Sequence, residues 1–478
     1  MTGRRRVVVV GGGVTGLAAA RRLAERNETV LLERDGRLGG RLRTERLRGR
    51  PVDVGPDSFI TRNDAAERLC RALGLENELV APATSNAGVL ARGRVRPLPA
   101  GLVLGVSTDI AALARSGVVG PVAALRAAAD LVLPRSAATA ALATGGDGAD
   151  PTVAEVIRPR LGKAVLEVLV DPLLGGINAG DSYRLSFAAA APLLAASVAG
   201  ERSLILSLRR RPRAVPAHVM SGSPAFLGLA GGIETLAARL GEECRGLGVD
   251  TRTATAAEWL ELRRDGAEPR WALGAGGARL EADAVVLAVP ATGAAALLGE
   301  VDAALAAECA AIPYADVVTV TFAWPKRAVP PAVTSLPMSG VLVPRSPRNV
   351  VTAASFTSAK WPRSANADEF VVRVSAGRDG DGRAMALGDQ ELVGRVRAEL
   401  AAMLGIEAAP LEVLVARYPA ALPQYLSGHL ARVDRIERIA ARLPGLALAG
   451  AAYAGIGIPA CISSGERAAA SVEAALAP

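Results

Sequence analysis

The stretch Val7-Val8-Val9-Val10-Gly11-Gly12-Gly13-Val14-Thr15-Gly16 decides the fold. Four consecutive valines predict a buried strand, and the alanine-rich run after the glycines predicts a helix. In this GxGxxG pattern, Gly11 permits a tight turn, Gly13 lets a pyrophosphate approach the backbone, and Gly16 lets the helix pack closely on the strand. A second apolar run ends at Glu33, where an acidic side chain can hold ribose hydroxyls. The pattern predicts a dinucleotide site, with an ordinary strand–helix turn as the alternative.

The segment that follows distinguishes between the two common dinucleotides, NAD and FAD. It runs Glu33-Arg34-Asp35-Gly36-Arg37-Leu38-Gly39-Gly40-Arg41. A simple nicotinamide-binding domain needs no second glycine pair followed by an arginine at this point. The pattern resembles the extended FAD fingerprint of flavin amine oxidases and their relatives, in which Gly-Gly-Arg lies beside the FAD pyrophosphate. The resemblance implies bound FAD, and a polar surface loop is the alternative.

Length and composition indicate a globular protein of two or three domains. The chain has 478 residues, of which 50% are apolar and 21% charged, enough to build separate cores. The formal charge of +8 suits an anionic ligand or an acidic membrane surface. Few aromatic residues and short basic runs argue against nucleic-acid binding. Four separated cysteines and two histidines predict neither a metal site nor a disulfide framework, which fits a reducing cytoplasm.

We expect no signal peptide and no transmembrane helix. The first residues lead directly into the nucleotide-binding strand, and the uncharged apolar run at residues 185–200 is short and is interrupted by Pro192. Residues 97–134 are apolar but carry four charged side chains, a pattern typical of amphipathic helices. Such helices either line a core or rest on a membrane surface. We therefore predict a cytoplasmic protein, with peripheral membrane contact left open.

The order of apolar runs predicts an α/β protein with an interrupted Rossmann-like FAD-binding domain. A helical domain that could face a membrane and an inserted substrate domain with a mixed or antiparallel sheet would separate its pieces. The closing helix is expected to begin at Ser464. The predicted segments are 1–90 (FAD-binding, first part), 91–220 (helical), 221–295 (FAD-binding, middle part), 296–425 (substrate-binding) and 426–478 (FAD-binding, last part).

Four further passages occur in a characteristic order along the chain. They are Gly55-Pro56-Asp57-Ser58-Phe59, Leu98-Pro99-Ala100-Gly101, the stretch from Asp171 to Asp181 (DPLLGGINAGD) and the stretch from Gly450 to Gly465 (GAAYAGIGIPACISSG). Together they resemble the porphyrinogen oxidases of heme synthesis, and the bacterial coproporphyrinogen III oxidase branch, related to protoporphyrinogen oxidase, is the nearest match. The resemblance covers almost the whole chain.

The resemblance implies a set of residues that bind FAD. The glycine turn would hold the pyrophosphate, Glu33 the adenosine ribose, and the last helix would meet the pyrimidine end of the flavin, where its dipole steadies negative charge. The implied FAD-binding residues are Gly11, Gly12, Gly13, Val14, Thr15, Gly16, Glu33, Arg34, Gly40, Arg41, Gly55, Pro56, Asp57, Ser58, Ala257, Tyr418, Ile456, Gly457 and Ile458.

The same resemblance implies an FAD-dependent oxidation of a porphyrinogen to a porphyrin, with molecular oxygen as acceptor. Six electrons leave in three rounds, and aromatisation supplies the driving force, so we expect no catalytic acid or base and no metal. The substrate carboxylates call for cations, and Arg62, Arg96 and Arg417 are the candidates. Coproporphyrinogen III is the expected substrate, and ferrochelatase is a transient partner suggested by the pathway alone.

Three alternatives stay open from the sequence. Protoporphyrinogen IX is the other substrate of this family. An FAD amine oxidase or desaturase would share the first fingerprint, but three lysines and five tyrosines leave little material for a lysine–water pair and an aromatic cage. A non-catalytic flavin- or porphyrin-binding protein would retain the FAD site without turnover.

Overall fold

The structure is a computed structural model that describes residues 4–144, 150–199, 201–210, 224–264 and 270–477. The strands are β1 (Arg6–Val10), β2 (Glu28–Leu32), β3 (Thr44–Leu47), β4 (Arg50–Asp53), β5 (Phe59–Ile60), β6 (Leu79–Val80), β7 (Gly88–Ala91), β8 (Arg94–Pro97), β9 (Leu102–Val103), β10 (Val106–Ser107), β11 (Phe226–Leu229), β12 (Asp250–Arg252), β13 (Ala257–Arg263), β14 (Arg270–Ala275), β15 (Ala278–Ala282), β16 (Ala284–Leu287), β17 (Tyr314–Pro325), β18 (Gly340–Leu342), β19 (Val351–Ser355), β20 (Glu369–Ala376), β21 (Glu412–Pro423) and β22 (Leu446–Leu448).

The α-helices connect these strands and form a separate helical region between β10 and β11. They are α1 (Val14–Leu23), α2 (Ala65–Ala72), α3 (Ile110–Ser116), α4 (Pro121–Ala128), α5 (Ala137–Thr144), α6 (Val153–Leu161), α7 (Lys163–Val165), α8 (Asp171–Asn178), α9 (Phe187–Ala190), α10 (Pro192–Val198), α11 (Leu204–Arg210), α12 (Glu234–Gly246), α13 (Ala291–Leu298), α14 (Ala303–Ala310), α15 (Pro331–Thr334), α16 (Thr357–Lys360), α17 (Arg383–Ala386), α18 (Asp389–Leu404), α19 (His429–Ala440), α20 (Ala451–Ala454) and α21 (Ile458–Leu476).

A five-stranded parallel sheet, in the order β12–β2–β1–β16–β22, forms the nucleotide-binding part. Alternate residues of β1 face opposite sides: Val7 and Val9 pack with α1, α12 and α21, whereas Val8 and Val10 pack with β14, α13 and α14. Burial on both faces explains the uninterrupted valine run. Strands from the beginning, middle and end of the chain share this sheet, so the predicted interrupted α/β fold is confirmed.

A seven-stranded mixed sheet, in the order β21–β17–β20–β19–β18–β7–β8, forms the second large unit. Its long strands β17, β20 and β21 are antiparallel, as their alternating pattern predicted. The predicted boundary between residues 90 and 91 falls inside β7, which pairs with β18. The edge of this sheet is therefore completed by a hairpin from before the helical region. The other predicted boundaries stay a prediction.

The final helix differs from the sequence-based expectation. The helix α21 begins at Ile458 rather than at Ser464, with Gly457 as its N-cap. Pro459 lies in the first turn, where a missing N–H disrupts no helical hydrogen bond. Within the described ranges, no helix has both the length and the hydropathy needed to cross a membrane.

Candidate active site

The glycine turn between β1 and α1 leaves room for a ligand at one position only. Gly11 has a φ of +109°, and a Cβ on Gly16 would lie 1.8 Å from the carbonyl oxygen of Gly11. A Cβ on Gly13 would meet nothing within 4 Å. Gly13 is also the N-cap of α1, and it provides no side-chain cap. The first N–H groups of α1 are therefore available to an anion such as a pyrophosphate.

Glu33 lies beside this turn at the end of β2. Its Oε2 accepts a hydrogen bond from the Gly12 amide at 2.7 Å, and its Oε1 accepts one from the Asp35 amide at 2.9 Å. The Thr255 amide donates to the Glu33 carbonyl at 2.8 Å, which brings the start of β13, and with it Ala257, next to the predicted adenosine site. Arg34 is mostly exposed and lies 3.7 Å from its neighbour Asp35.

The Gly39-Gly40-Arg41 segment folds back onto the glycine turn. The Gly39 amide donates to the Gly12 carbonyl at 2.8 Å, and a Cβ on Gly40 would lie 3.3 Å from the Gly13 Cα. The Arg41 guanidinium donates through Nη2 to the carbonyl of Ala420 in β21. Burial lowers the pKa of Arg41. Arg41 therefore brings a cation to the point where β21 meets the glycine turn.

The Gly55–Ser58 loop passes directly over Arg41. A Cβ on Gly55 would lie 2.3 Å from the Arg41 carbonyl oxygen, so only glycine fits there, and 3.5 Å from the Tyr418 hydroxyl. Tyr418 Oη is buried and has no hydrogen-bond partner among the described residues. Burial also raises the pKa of Tyr418. A buried hydroxyl without a partner is costly, and here it lies where a ligand would supply that partner.

The N-terminus of α21 approaches the same region. A Cβ on Gly465 would lie 2.1 Å from the Thr15 carbonyl oxygen, so α21 and α1 pack in direct backbone contact. Gly457 provides no side-chain cap for α21, and Ile456 is half-buried before it. The helices α1 and α21 therefore pack against each other, and the N-terminus of each lacks a side-chain cap. Both N-termini can stabilise negative charge on a ligand.

Asp57 lies at the centre of a buried ionic cluster that sequence reasoning missed. Its carboxylate accepts from Lys360 Nζ at 2.9 Å and from Trp361 Nε1 at 3.1 Å, and Arg373 lies 3.5 Å away. Burial opposes the charge, but Arg373 and Lys360 hold the pKa of Asp57 well below its ordinary value. Ser58 also donates to Asp57, at 2.9 Å. The side chains of Asp57 and Ser58 therefore hold the Gly55–Ser58 loop in place from its buried side. Pro56 is exposed on the same loop.

The three predicted substrate cations lie in different environments. Arg62 is exposed, and Arg96 is half-buried with an Nε that lacks a partner among the described residues. Arg417 lies next to Tyr418 in β21, and neighbouring strand residues face opposite sides. Its guanidinium donates to the carbonyl of Leu387 and to Asp389, both at 2.7 Å. Because Arg417 is held in contacts with α18 and the segment before it, we leave it out of the proposed site.

Two further buried side chains, those of His429 and Cys461, carry no charge at neutral pH. His429 stacks on Tyr425 with ring centroids 4.1 Å apart, and burial lowers its pKa to about 4. Burial raises the pKa of Cys461 to about 11. At neutral pH His429 is therefore a neutral imidazole and Cys461 is a thiol rather than a thiolate. In the parts of the chain that the structure describes, no cluster of His, Cys, Asp and Glu is arranged to hold a metal ion.

The arrangement fits FAD. The open face at Gly13, two helix N-termini without side-chain caps, the carboxylate of Glu33 and the unpartnered Tyr418 hydroxyl provide complementary groups for a dinucleotide. A parallel sheet with the glycine turn at the carboxyl end of β1 places such a ligand at the strand ends. The fold and the site thus define an FAD-dependent oxidoreductase.

Comparison with known proteins identifies the family. A family model described as flavin containing amine oxidoreductase matches residues 14–472. The chain therefore belongs to the flavin-containing amine oxidoreductase family.

Three relatives resemble the chain over nearly their whole length. It is 31% identical to coproporphyrinogen III oxidase of Bacillus subtilis, covering 98% of this chain and 97% of that protein. It is 33% identical to coproporphyrinogen III oxidase of Mycobacterium bovis, covering 99% and 98%. A crystal structure from Exiguobacterium sp. 255-15, described as a candidate protoporphyrinogen oxidase, matches with a TM-score of 0.85 and 31% identity, covering 99% of this chain and 100% of that one.

Proposed function

We propose that this protein oxidises a porphyrinogen to the corresponding porphyrin, and that coproporphyrinogen III is its preferred substrate. The observation that carries the proposal is the full-length similarity to two coproporphyrinogen III oxidases. The similarity extends through the helical region and the seven-stranded sheet, beyond the nucleotide-binding part that many flavoproteins share.

Within this proposal, each part of the candidate site has a role. The α1 N-terminus at Gly13 and the Arg41 guanidinium bind the pyrophosphate, and Glu33 binds the adenosine ribose. The Gly55–Ser58 loop and Tyr418 line one side of the flavin ring, and the α21 N-terminus binds its pyrimidine end. The unpartnered Tyr418 hydroxyl and the absence of a side-chain cap on α21 support these roles.

The residues act by orientation and electrostatics rather than by proton transfer. When bound, FAD would supply a two-electron acceptor for one hydride from the substrate in each round, with the accompanying pyrrole N–H proton released to solvent and O2 reduced to hydrogen peroxide on reoxidation. The Asp57 cluster fixes the Gly55–Ser58 loop, and the fixed loop would keep the flavin ring oriented towards the substrate. Buried His429 stays neutral. Three rounds remove six electrons and yield the aromatic macrocycle.

The substrate preference rests on charge. Coproporphyrinogen carries four carboxylates and protoporphyrinogen two, and the chain has a net charge of +8. Cations at a partly desolvated site bind carboxylates strongly. Arg62 is exposed and Arg96 Nε lacks a hydrogen-bond partner among the described residues, so both remain proposed contacts for these groups.

The test is an aerobic assay of the purified FAD-loaded protein with each porphyrinogen. Porphyrin fluorescence should rise faster than the uncatalysed background, and kcat/KM should be higher for coproporphyrinogen III than for protoporphyrinogen IX. A reversed preference would reassign the substrate. Stoichiometric FAD binding without any turnover would instead indicate a non-catalytic binding protein.

We further propose peripheral contact between α4 and an anionic membrane surface. Val122, Leu125 and Val132 are 83%, 75% and 75% exposed, and such apolar side chains insert at membrane interfaces. Arg202 flanks them by donating to the Leu131 carbonyl at 2.9 Å. The wild type should sediment with phosphatidylglycerol vesicles, and Val122→Ser/Leu125→Ser should not. Equal sedimentation of both proteins would refute the contact.

A further inference from the structure

Arg378, two residues after β20, is a buried cation without a partner. The residue is only 9% exposed, and no described residue gives its guanidinium group a hydrogen bond or an ion pair. Burial, and then the nearby charge of Arg345, lower the pKa of Arg378. A guanidinium held in this way lowers the stability of the fold unless something outside the chain compensates it.

The carboxylates around Arg378 are already occupied by other groups. Each accepts a hydrogen bond or forms an ion pair with a neighbour other than Arg378. The pairs are Asp379 with Arg184, Asp381 with Arg383 (2.7 Å), Asp181 with Arg345 (3.7 Å) and the Tyr183 amide (2.9 Å), and Asp171 with the Ser182 amide (3.1 Å). Arg378 therefore retains its binding capacity.

One side of Arg378 faces the end of α8. The Asp379 amide donates to the Ala179 carbonyl at 2.6 Å, and Arg345 Nη2 donates to the Gly180 carbonyl at 3.1 Å. Gln424 Nε2 donates to the Asn178 carbonyl at 2.8 Å, whereas Gln424 Oε1 is buried without a partner among the described residues. The junction between α8 and the seven-stranded sheet thus contains a second unsatisfied polar group.

The other side of this segment leads to the proposed FAD site. A Cβ on Gly377 would lie 2.6 Å from the Asp316 carbonyl oxygen. The Asp316 carboxylate in turn accepts from the Ala420 amide at 2.8 Å, and the Ala420 carbonyl accepts from Arg41. A short series of contacts therefore joins Arg378 to the cation that we assign to the FAD pyrophosphate.

We propose that Arg378 binds a carboxylate of the tetrapyrrole substrate and thereby determines which porphyrinogens the enzyme accepts. This inference rests on the proposed function. A guanidinium offers a planar pair of N–H donors that matches a carboxylate. The unpaired charge is held in the free protein and is satisfied when substrate enters. Arg378 is thus a specificity residue that takes no part in electron transfer.

The experiment compares wild type with Arg378→Met, Arg378→Lys and the control Arg327→Met, which removes an exposed arginine elsewhere. Arg378→Met should raise KM for coproporphyrinogen III about tenfold, as expected for a lost charged hydrogen bond, with kcat within about twofold of wild type. The dissociation constant for coproporphyrin III, from fluorescence quenching, should rise equally. Arg378→Lys should be intermediate, and Arg327→Met should match wild type.

Thermal unfolding separates a binding role from a structural one. Because Arg378 has no partner, Arg378→Met should melt no lower than wild type. An unchanged KM and dissociation constant, or a lower Tm with loss of FAD, would overturn the inference. If the wild type oxidises no porphyrinogen, the proposed function fails separately, and coproporphyrin III binding still decides the role of Arg378.

Discussion

Asp57 and Arg378 are both buried charged residues, but their surroundings are opposite. Asp57 accepts hydrogen bonds from Lys360, Trp361 and Ser58, and it has Arg373 nearby. The Arg378 guanidinium has no hydrogen-bond or ion-pair partner in the described part of the chain. A buried charge with a complete set of partners holds a segment in place, whereas a buried charge without partners is available to a ligand. The difference separates a residue that holds the Gly55–Ser58 loop, which we propose lines the flavin, from one that we propose binds substrate.

Removal of the Asp57 carboxylate should produce the largest effect. Asp57→Ala leaves Lys360 and Arg373 buried without their counter-charge, so the free energy of unfolding should fall by about 3–5 kcal/mol. FAD content should fall with it, because the Gly55–Ser58 loop loses its anchor. Urea denaturation and the flavin absorbance of the purified protein measure both effects.

The matched control for Asp57 is Glu242→Ala. Glu242 forms an exposed ion pair with Arg239 at 2.9 Å, and such pairs contribute less than about 1 kcal/mol. Comparable losses in the two variants would show that the Asp57 cluster is no stronger than a surface pair. The contrast with Arg378 would then disappear.

His429 provides the second test, because it is buried but uncharged. Its folded pKa of about 4 lies below the ordinary value, so the unfolded chain binds the proton more readily. The stability associated with neutral His429 is fully present above about pH 6.5 and is lost as the pH falls towards 4, by about 2–3 kcal/mol. His429→Phe should preserve the stacking on Tyr425 and remove this loss.

The measurement is the free energy of unfolding at pH 7 and at pH 5 for both proteins. The chain has only two histidines, and the other groups that titrate in this interval are present in both proteins, so their contributions cancel in the comparison. Identical changes with pH in wild type and His429→Phe would show that His429 is not held neutral by its surroundings.

Tyr418 should give the smallest effect. Tyr418→Phe removes a buried hydroxyl that has no hydrogen-bond partner among the described residues, so the apoprotein should lose no stability. Urea denaturation of the variant and wild-type apoproteins measures this. FAD should bind about fivefold more weakly, the equivalent of about 1 kcal/mol for one hydrogen bond. Tyr183→Phe, which removes an exposed hydroxyl bonded to Glu167 at 3.0 Å, is the control. Unchanged FAD affinity in Tyr418→Phe would remove Tyr418 from the proposed site.

Local patterns predicted much of the nucleotide-binding part. The valine run, the glycine turn and Glu33 are close together in sequence, and their spacing alone determines their geometry. The expected start of the closing helix at Ser464 is six residues late, since α21 begins at Ile458 and Pro459 fits the first turn of a helix. Periodicity identified the long strands of the seven-stranded sheet, but it did not show which hairpin would complete the edge.

Contacts between distant segments could not be predicted in the same way. Lys360 and Arg373 lie some three hundred residues from Asp57, and no motif marks them. Arg417 is a candidate because it lies near motifs of the family, yet alternation in β21 directs its side chain and that of Tyr418 to opposite faces. No motif marks Arg378, because its proposed role depends on the absence of a described partner for its guanidinium, which only the structure shows.

The split parallel sheet affects how the protein is made. β1 ends at residue 10, whereas β22 and α21 begin at residues 446 and 458. During synthesis, the first strands therefore emerge long before the segments that cover them. Until β22 is translated, β16 has an unpaired edge, and unpaired strand edges promote aggregation. We therefore expect the cofactor to bind only after the C-terminal helix has been translated. A chain interrupted before residue 446 should be colourless and a substrate for chaperones.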